Sequence, residues 1–217
     1  MNTKNGLAVL KTVSVLFLAT VAAQAAPFSI TIGDNDGYGF GVADNGPAVW
    51  SPSPGYDGRS AGEIAATNGA QITDVYSAIF PGAGPSGTST ATVTFALPGI
   101  VTSATLTIDM GDFQATTFGQ ISVSFNGVAQ PNFFNFEDGF QHTAVRSWAL
   151  SAGAIANANG AGSFLIQLDR NGSGDYIAFD YFKLEGQVTG NVPDTGSTVA
   201  LLAAALGAIA FIRRKIR

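Results

Sequence analysis

The chain has 217 residues, of which 46% are apolar, with a net charge of −5 and no cysteine. The absence of cysteine excludes disulfides, thiol catalysis and cysteine-ligated zinc. Between residues 26 and 190, 14 acidic side chains stand against four basic ones, which gives this part a net charge of −10. Such an acidic region predicts no nucleic-acid partner, because affinity for nucleic acid comes from cations that neutralise phosphates.

The first 25 residues have the features of a secretory signal peptide. Lys4 and Lys11 lie around the start of an apolar stretch that ends in the small-x-small cleavage site Ala23-Gln24-Ala25. The pattern predicts a signal helix over residues 1–25 that signal peptidase removes after export across the inner membrane. An uncleaved membrane anchor is the alternative. One domain is expected over residues 26–190.

That region is dominated by short segments in which apolar and polar residues alternate between clusters of Gly, Asn, Asp and Pro. Such alternation places one face of each strand on a core. Nine candidate strands favour an all-β fold, and we expect a jelly-roll-like β-sandwich. The candidates are Phe28–Ile32, Ile72–Phe80, Ala91–Leu97, Ala104–Ile108, Gln120–Phe125, Asn132–Phe136, Thr143–Leu150, Ser163–Leu168 and Tyr176–Leu184.

Three local patterns add to this expectation. Asn126-Gly127 is a strong hairpin signal. Leu150–Asn159 is rich in alanine and predicts one or two helical turns, with nearly all other helix in the signal and the C-terminal segment. Residues 41–70 form a long surface excursion, in which Trp50 and Tyr56 are the best candidates for aromatic rings exposed to sugars, although packing is their commoner role.

The densest polar cluster is Asp34-Asn35-Asp36-Gly37, which is followed by Asp44 and Asn45. Oxygen side chains around a glycine turn suit calcium, which takes six to eight oxygen ligands. The segment is not an EF-hand, because Asn45 stands where the bidentate Glu would be. An ordinary turn is the alternative, since Asp, Asn and Gly favour turns for local reasons.

The last candidate strand carries a second indication of calcium. Its segment Ala178–Leu184 resembles the final A-x-D-x-x-x-L strand of carbohydrate-binding-module jelly rolls, which closes the sheet beside the first strand. Calcium-binding members of that group place the ion between the end of the first strand and the last strand. The resemblance implies that Asp34 or Asp36 lies near Asp180, and that these residues hold calcium.

Other polar residues give weaker indications of chemistry. Asp109 and Asp112 with Glu137 and Asp138 could form a glycosidase carboxylate pair, but nothing in the sequence fixes their separation. His142 is the only histidine, and no nucleophile elbow accompanies it. We therefore expect no enzymatic activity.

The segment Asp169–Asp175 is a further polar cluster with two interpretations. A ligand-facing loop would use Arg170 to pair with a sugar or a carboxylate. A solvated hairpin loop between the last two strands is the commoner explanation.

The C-terminal segment, residues 192–217, combines a short motif with an apolar run. The run from Ser197 to Ile212 has no charge, and Arg213, Arg214, Lys215 and Arg217 follow it. Sixteen helical residues span about 24 Å, slightly less than a bilayer needs, and terminal arginines can reach the interface. The pattern predicts a transmembrane helix over 197–212 with a cytoplasmic C-terminus; a C-terminal core helix is the alternative.

The pentad before this run carries a specific resemblance. A proline-containing pentad, an apolar run and an arginine-rich end resemble the PEP-CTERM sorting signals of bacterial proteins handled by exosortases. The Val-Pro-Asp-Ser-Gly variant is the most similar, with Thr195 here in place of Ser. The signal would consist of Val192, Pro193, Asp194, Thr195, Gly196, Arg213 and Arg214.

This resemblance implies a membrane protease or transpeptidase of the exosortase type as a partner. That enzyme would recognise Val192 to Gly196, cut nearby and pass the protein to the cell surface or the extracellular matrix. The sortase signal Leu-Pro-x-Thr-Gly is the rival, but Val192 does not match its first position. We expect a structural protein associated with exopolysaccharide. The alternative is a carbohydrate-binding module, with or without calcium; a sortase-anchored wall protein is a third possibility.

Overall fold

The computed structural model describes residues 25–49, 55–81 and 87–189. The predicted signal peptide over residues 1–24, the sorting pentad and the apolar run 197–212 lie outside the described residues, as does Trp50. Within those described ranges, no helix is long and apolar enough to cross a membrane.

The described chain is mostly antiparallel β-structure, as the alternating pattern predicts. The described residues include three short α-helices, α1 (Ala61–Ala65), α2 (Ala115–Phe118) and α3 (Ala152–Ala161), together with a π-helical turn at Gly37–Gly41 and a 3-10 turn at Ala70–Ile72. The strands, in chain order, are β1 (Ala25–Gly33), β2 (Tyr56–Asp57), β3 (Val75–Tyr76), β4 (Thr90–Ala96), β5 (Ile100–Gly111), β6 (Ser122–Phe125), β7 (Val128–Ala129), β8 (Thr143–Ala149), β9 (Ser163–Asp169) and β10 (Ala178–Thr189).

Eight of these strands form two four-stranded antiparallel sheets. One sheet has the order β1-β10-β5-β8 and the other has the order β4-β9-β6-β7, while β2 and β3 pair separately. The last strand lies beside the first over the full length of β1, from Ala25 opposite Thr189 to Gly33 opposite Tyr181.

One apolar core draws its side chains from both sheets. Val93 and Phe95 of β4 are fully buried, as are Leu106 and Ile108 of β5. They alternate with polar threonines along each strand, so the period of two in the sequence places every second side chain in the core. An aromatic cluster around Phe134 extends this core at one end.

Most sequence predictions of strands agree with the structure, and the Asn126-Gly127 hairpin is confirmed by the β6–β7 pair. The strand predicted over Asn132–Phe136 is wrong, because Asn132 has φ of +61° and the chain turns there, which sends the phenylalanines into the core. Of the strand predicted over Ile72–Phe80, only Val75–Tyr76 forms a strand, β3, and Ala70–Ile72 forms a 3-10 turn before it.

The helical content is also distributed differently from the prediction. The helical turns expected in Leu150–Asn159 are confirmed as α3, but α1 and α2 were not foreseen. The excursion over residues 41–70 contains α1 and β2, and Tyr56 is buried at 2% exposure, so its candidacy as an exposed sugar platform is wrong.

Helix α1 begins with a capping box that fixes residues next to the acidic site described below. The Ser60 side chain accepts from the Glu63 N–H, and the Glu63 carboxylate accepts from the Ser60 N–H. The other Glu63 oxygen accepts from the Thr73 hydroxyl at 2.9 Å. The cap therefore ties α1 to the segment that carries Asp74.

Ser60→Ala is expected to lower the free energy of unfolding by about 1 kcal/mol, because it removes this cap. Denaturant unfolding of the two proteins measures the difference. Ser29→Ala on the exposed side of β1 is the matched control, with an expected change within about 0.5 kcal/mol. Equal losses in both variants would show that the capping box does not stabilise α1.

Candidate metal centre

A β-bulge in the last strand positions the central carboxylate of the site. Phe179 pairs with Met110 and Phe182 pairs with Ile108, so Asp180 and Tyr181 stand together opposite Asp109. The predicted alternation of Tyr176–Leu184 is therefore wrong at this point, and both Phe179 and Phe182 enter the core. Bulges re-aim side chains in this way, and this one places Asp180 beside Asp109.

The bulge brings together six aspartates, which we call the acidic centre: Asp34, Asp36, Asp44, Asp74, Asp109 and Asp180. In a first group, one carboxylate oxygen from each of Asp34, Asp36, Asp74 and Asp180 lies within 4.8 Å of the others. A second group of Asp44, Asp109 and Asp180 meets the same criterion. Asp180 belongs to both groups.

The chain reaches the first group through a tight turn after β1. Gly33 has φ of +79°, and a Cβ there would lie 2.5 Å from the Asp180 carbonyl oxygen, so only glycine fits. Asp36 then accepts from the Gly39 N–H, which closes the next turn. These contacts hold Asp34 and Asp36 next to β10.

Three carboxylates of the acidic centre are fully buried: Asp74, Asp109 and Asp180. Asp180 accepts from the Tyr38 N–H at 2.9 Å, and Asp109 accepts from the Tyr38 hydroxyl at 2.8 Å. The second oxygen of each has no hydrogen-bond partner, and neither oxygen of Asp74 has one. Buried carboxylate oxygens without a partner are costly, and a bound cation would satisfy them.

The carboxylates also lie against one another. Asp74 is within hydrogen-bonding reach of both Glu63 and Asp180. No ion pair among the described residues reaches the acidic centre; the three pairs present join Arg59 to Asp57, Arg146 to Asp138 and Lys183 to Glu185. In the described part of the chain, the six aspartates of the centre therefore form no ion pair with a cationic side chain.

This environment changes the protonation of the centre. Burial raises the pKa of Asp74, and the neighbouring Glu63 raises it further. Burial also raises the pKa of Asp109, although the hydrogen bond from Tyr38 acts in the opposite direction. Burial also raises the pKa of Asp180, while the hydrogen bond from the Tyr38 N–H acts to lower it. Without a cation, the folded protein therefore holds protons in this centre that the unfolded chain would release.

The donor atoms fit a hard divalent cation. All ligands in both groups are carboxylate oxygens, which suit calcium or magnesium, whereas zinc prefers His and Cys. The four carboxylates of the first group, on two turns and one strand, form a loose shell, which favours calcium over the strict octahedron of magnesium. The structure thus brings the predicted Asp34, Asp36 and Asp180 together; that they bind calcium stays a prediction.

Two ligands of this centre were missed by sequence reasoning. Asp74 lies in a segment interpreted as a strand, and its φ of +57° was not foreseen. Asp109 was interpreted as part of a glycosidase pair. A signal was available for Asp109, because an aspartate among Leu106, Ile108 and Met110 occupies the sheet face opposite the core.

The other predicted polar sites have different roles. Asp112 accepts from the Tyr76 hydroxyl and the Gln141 N–H, Glu137 accepts from the Thr116 N–H, and Asp138 pairs with Arg146. These contacts give each carboxylate a structural partner.

Arg170 is neither solvated nor aimed at a ligand, so both interpretations of its loop are wrong for this residue. It is 4% exposed, donates to the carbonyl oxygens of Asp175 and Ser77, and lies over the Phe80 ring.

Comparison with known proteins identifies the class first. The chain carries a C-terminal sorting signal of the PEP-CTERM/exosortase type, so it is an exported protein with membrane-anchored sorting. More specifically, the VPDSG-CTERM motif matches residues 191–216. The match agrees with the resemblance seen in Val192–Gly196 and distinguishes the pentad from a sortase signal.

No curated protein sequence matches this chain. Among solved structures, the dimeric latent form of PorU from Porphyromonas gingivalis is similar over 78% of this chain and 14% of that chain, with 14% identity and a TM-score of 0.35.

Proposed function

We propose that this protein is a calcium-stabilised structural component of the bacterial surface or extracellular matrix, and not an enzyme. The observation that carries the proposal is Asp74, whose two buried oxygens have no partner and face other carboxylates. An exported protein meets calcium outside the cell, where modules with dissociation constants of about 10⁻⁴–10⁻³ M are occupied. A cation required for the fold would restrict the folded state to that compartment.

The strand order supports a jelly-roll sandwich as the scaffold. With the short β2–β3 pair left out, the eight remaining strands have the orders 1-8-3-6 and 2-7-4-5, and they share one core. A double-sheet jelly roll has eight strands and two Greek keys. In this arrangement calcium would join the end of β1, the bulge of β10 and the loop before β3, which are distant in sequence.

The position of the centre supports display away from the membrane. Strand β10 ends at Thr189, two residues before the sorting motif, and Asp180 lies at the other end of that strand. Nine residues of strand separate the two, which is about 30 Å. The acidic centre therefore lies at the end of β10 opposite the strand's C-terminus, and association with exopolysaccharide would occur there.

Calcium binding tests this proposal directly. The exported full chain, purified in a mild detergent and freed of divalent cations, is expected to bind calcium with saturation in calorimetry at millimolar concentration, and to bind potassium not at all. Asp180→Asn is expected to abolish or weaken the heat signal by at least tenfold in affinity. A wild-type protein that gives no calcium signal would refute a calcium-stabilised role.

A carbohydrate-binding module is the second candidate. Phe40 follows the acidic turn, is 57% exposed and packs at 4.1 Å between ring centroids on Tyr56, so it offers a supported aromatic face beside the centre. Glycan-array binding that needs calcium and is lost in Phe40→Ala would favour this function. An array without hits in calcium would favour the structural role.

A further inference from the structure

We propose that the acidic centre binds a second divalent cation, held by Asp44, Asp109 and Asp180, and that Asp180 bridges the two ions. The inference rests on the proposed function for the shared residue Asp180. Asp44 and Asp109, however, belong to the second group alone, so the second ion can be tested separately from the first.

Asp109 gives the strongest observation for this second ion. Its side chain is 0% exposed, and one oxygen accepts from the Tyr38 hydroxyl. The other oxygen is buried without a hydrogen-bond partner. The Asp109 carboxylate lies within 4.8 Å of the carboxylates of Asp44 and Asp180. A buried lone pair that faces only negative groups is unfavourable unless a cation lies between them.

Asp44 is held over Asp109 by a network that leaves it little freedom. The Asn45 side chain accepts from the Val145 N–H at 2.8 Å, and Val145 is the residue of β8 that pairs with Asp109. The Thr143 hydroxyl donates to the Ala43 carbonyl oxygen at 2.7 Å. Residues on both sides of Asp44 are thus fixed to β8, and its carboxylate lies within hydrogen-bonding reach of Asp109.

Asp180 has the free capacity to serve two ions. An ionised carboxylate offers about four lone-pair sites on two oxygens. One oxygen of Asp180 accepts from the Tyr38 N–H, the Gly37 backbone also acts on this carboxylate, and the second oxygen is buried without a hydrogen-bond partner. Tyr38 spans the two groups, because its N–H contacts Asp180 and its hydroxyl contacts Asp109.

The two ions would differ in affinity. The first group offers four carboxylates, whereas the second offers three. Fewer charged ligands weaken calcium binding. The second ion is therefore the weaker and more exchangeable one, and its remaining coordination positions would be filled by water.

The stoichiometry of calcium tests this inference. The exported full chain in mild detergent is stripped of divalent cations and dialysed to equilibrium against calcium from micromolar to millimolar concentration, and bound calcium is counted per chain. Two ions are expected for the wild type. Asp44→Asn and Asp109→Asn are expected to bind one ion, with the tighter phase unchanged and the weaker phase reduced at least tenfold in affinity.

The variants separate the possible failures. Asp44 is exposed, so Asp44→Asn is expected to fold even if Asp109→Asn does not. The matched control is Asp169→Asn at an exposed position of β9, which is expected to bind two ions like the wild type. If the wild type binds one ion and Asp44→Asn still binds that ion, the second site is overturned and the proposed function stands. If the wild type binds no ion, both the second site and the proposed function are overturned. If every variant still binds two ions, Asp44 and Asp109 are not ligands of the second ion.

Discussion

Asp74→Asn is expected to raise the melting temperature without divalent cations and to lower it in millimolar calcium. In the cation-free protein, Asp74 is fully buried among carboxylates and both its oxygens lack partners. At neutral pH the folded state must either bury the charge or take up a proton, and both cost free energy. An asparagine has neither cost, and its amide can donate to the oxygens of Glu63 and Asp180.

The expected size follows from general values. A buried polar group without a partner costs about 1–3 kcal/mol, and in a chain of this size each kcal/mol shifts the melting temperature by about 2–4 °C. Calcium at about 100 times its dissociation constant stabilises by about 2.7 kcal/mol, hence about 5–10 °C in the wild type. Asp74→Asn should gain about 4 °C without cations and lose most of the calcium effect.

The matched control is Asp175→Asn, which changes a buried carboxylate outside the acidic centre. Asp175 is 4% exposed and accepts from the Gln114 N–H at 2.7 Å. Its substitution is expected to shift both melting curves equally, so the calcium effect stays at its wild-type size. Differential scanning fluorimetry in the two buffers measures all three proteins. A calcium effect retained in Asp74→Asn would show that Asp74 does not contact the ion.

The sheets could be predicted from the sequence because their strands carry a clear local period. Val93 and Phe95 alternate with threonines, and the structure places them in the core. The helical turns in Leu150–Asn159 were visible because the segment is rich in alanine, and the structure shows that Ser151 caps α3 and Gly162 ends it with φ of +70°. In both cases the signal lies within about ten neighbouring residues, which is the range that local patterns report.

The acidic centre could be predicted only in part, because its ligands come from distant segments. Asp34 and Asp36 form a visible cluster, and the resemblance of the last strand added Asp180. The alternation around Asp109 gives only its sheet face, whereas the position of Asp74 depends on a left-handed residue and the meeting of Asp109 with Asp180 depends on a bulge, which neither composition nor spacing reveals. The register of β10 against β5 decides which aspartates meet, and register is a property of tertiary packing.

Stability is expected to fall as pH rises in the cation-free protein and to depend much less on pH in calcium. The pKa values of Asp74, Asp109 and Asp180 are raised by burial in the folded protein, so between pH 4 and 7 the cation-free folded state binds more protons than the unfolded chain. The free energy of unfolding contributed by these groups therefore falls as pH rises. Calcium needs the ionised carboxylates, so in its presence the folded centre holds few protons and the same contribution changes little with pH.

Other groups near the centre act in the opposite direction. The pKa of Asp57 is lowered by hydrogen bonds from Arg59, and that of Glu63 is lowered by hydrogen bonds from Ser60 and Thr73, against its burial. Both groups contribute stability that is present above pH 4 and is lost as pH falls. The pKa of Glu63 also depends on its hydrogen bond with Asp74, so the difference between the two melting curves reports the acidic centre together with Glu63.

The calcium-induced gain in melting temperature should therefore grow steadily from pH 5 to pH 8. Cation-exchange resin is used instead of a chelator to remove calcium, because chelator affinity itself changes with pH. In Asp74→Asn the gain should be small at every pH. Parallel wild-type curves with and without calcium would mean that the ion does not displace protons from these carboxylates, and a cation site at the bulge of β10 would then be untenable.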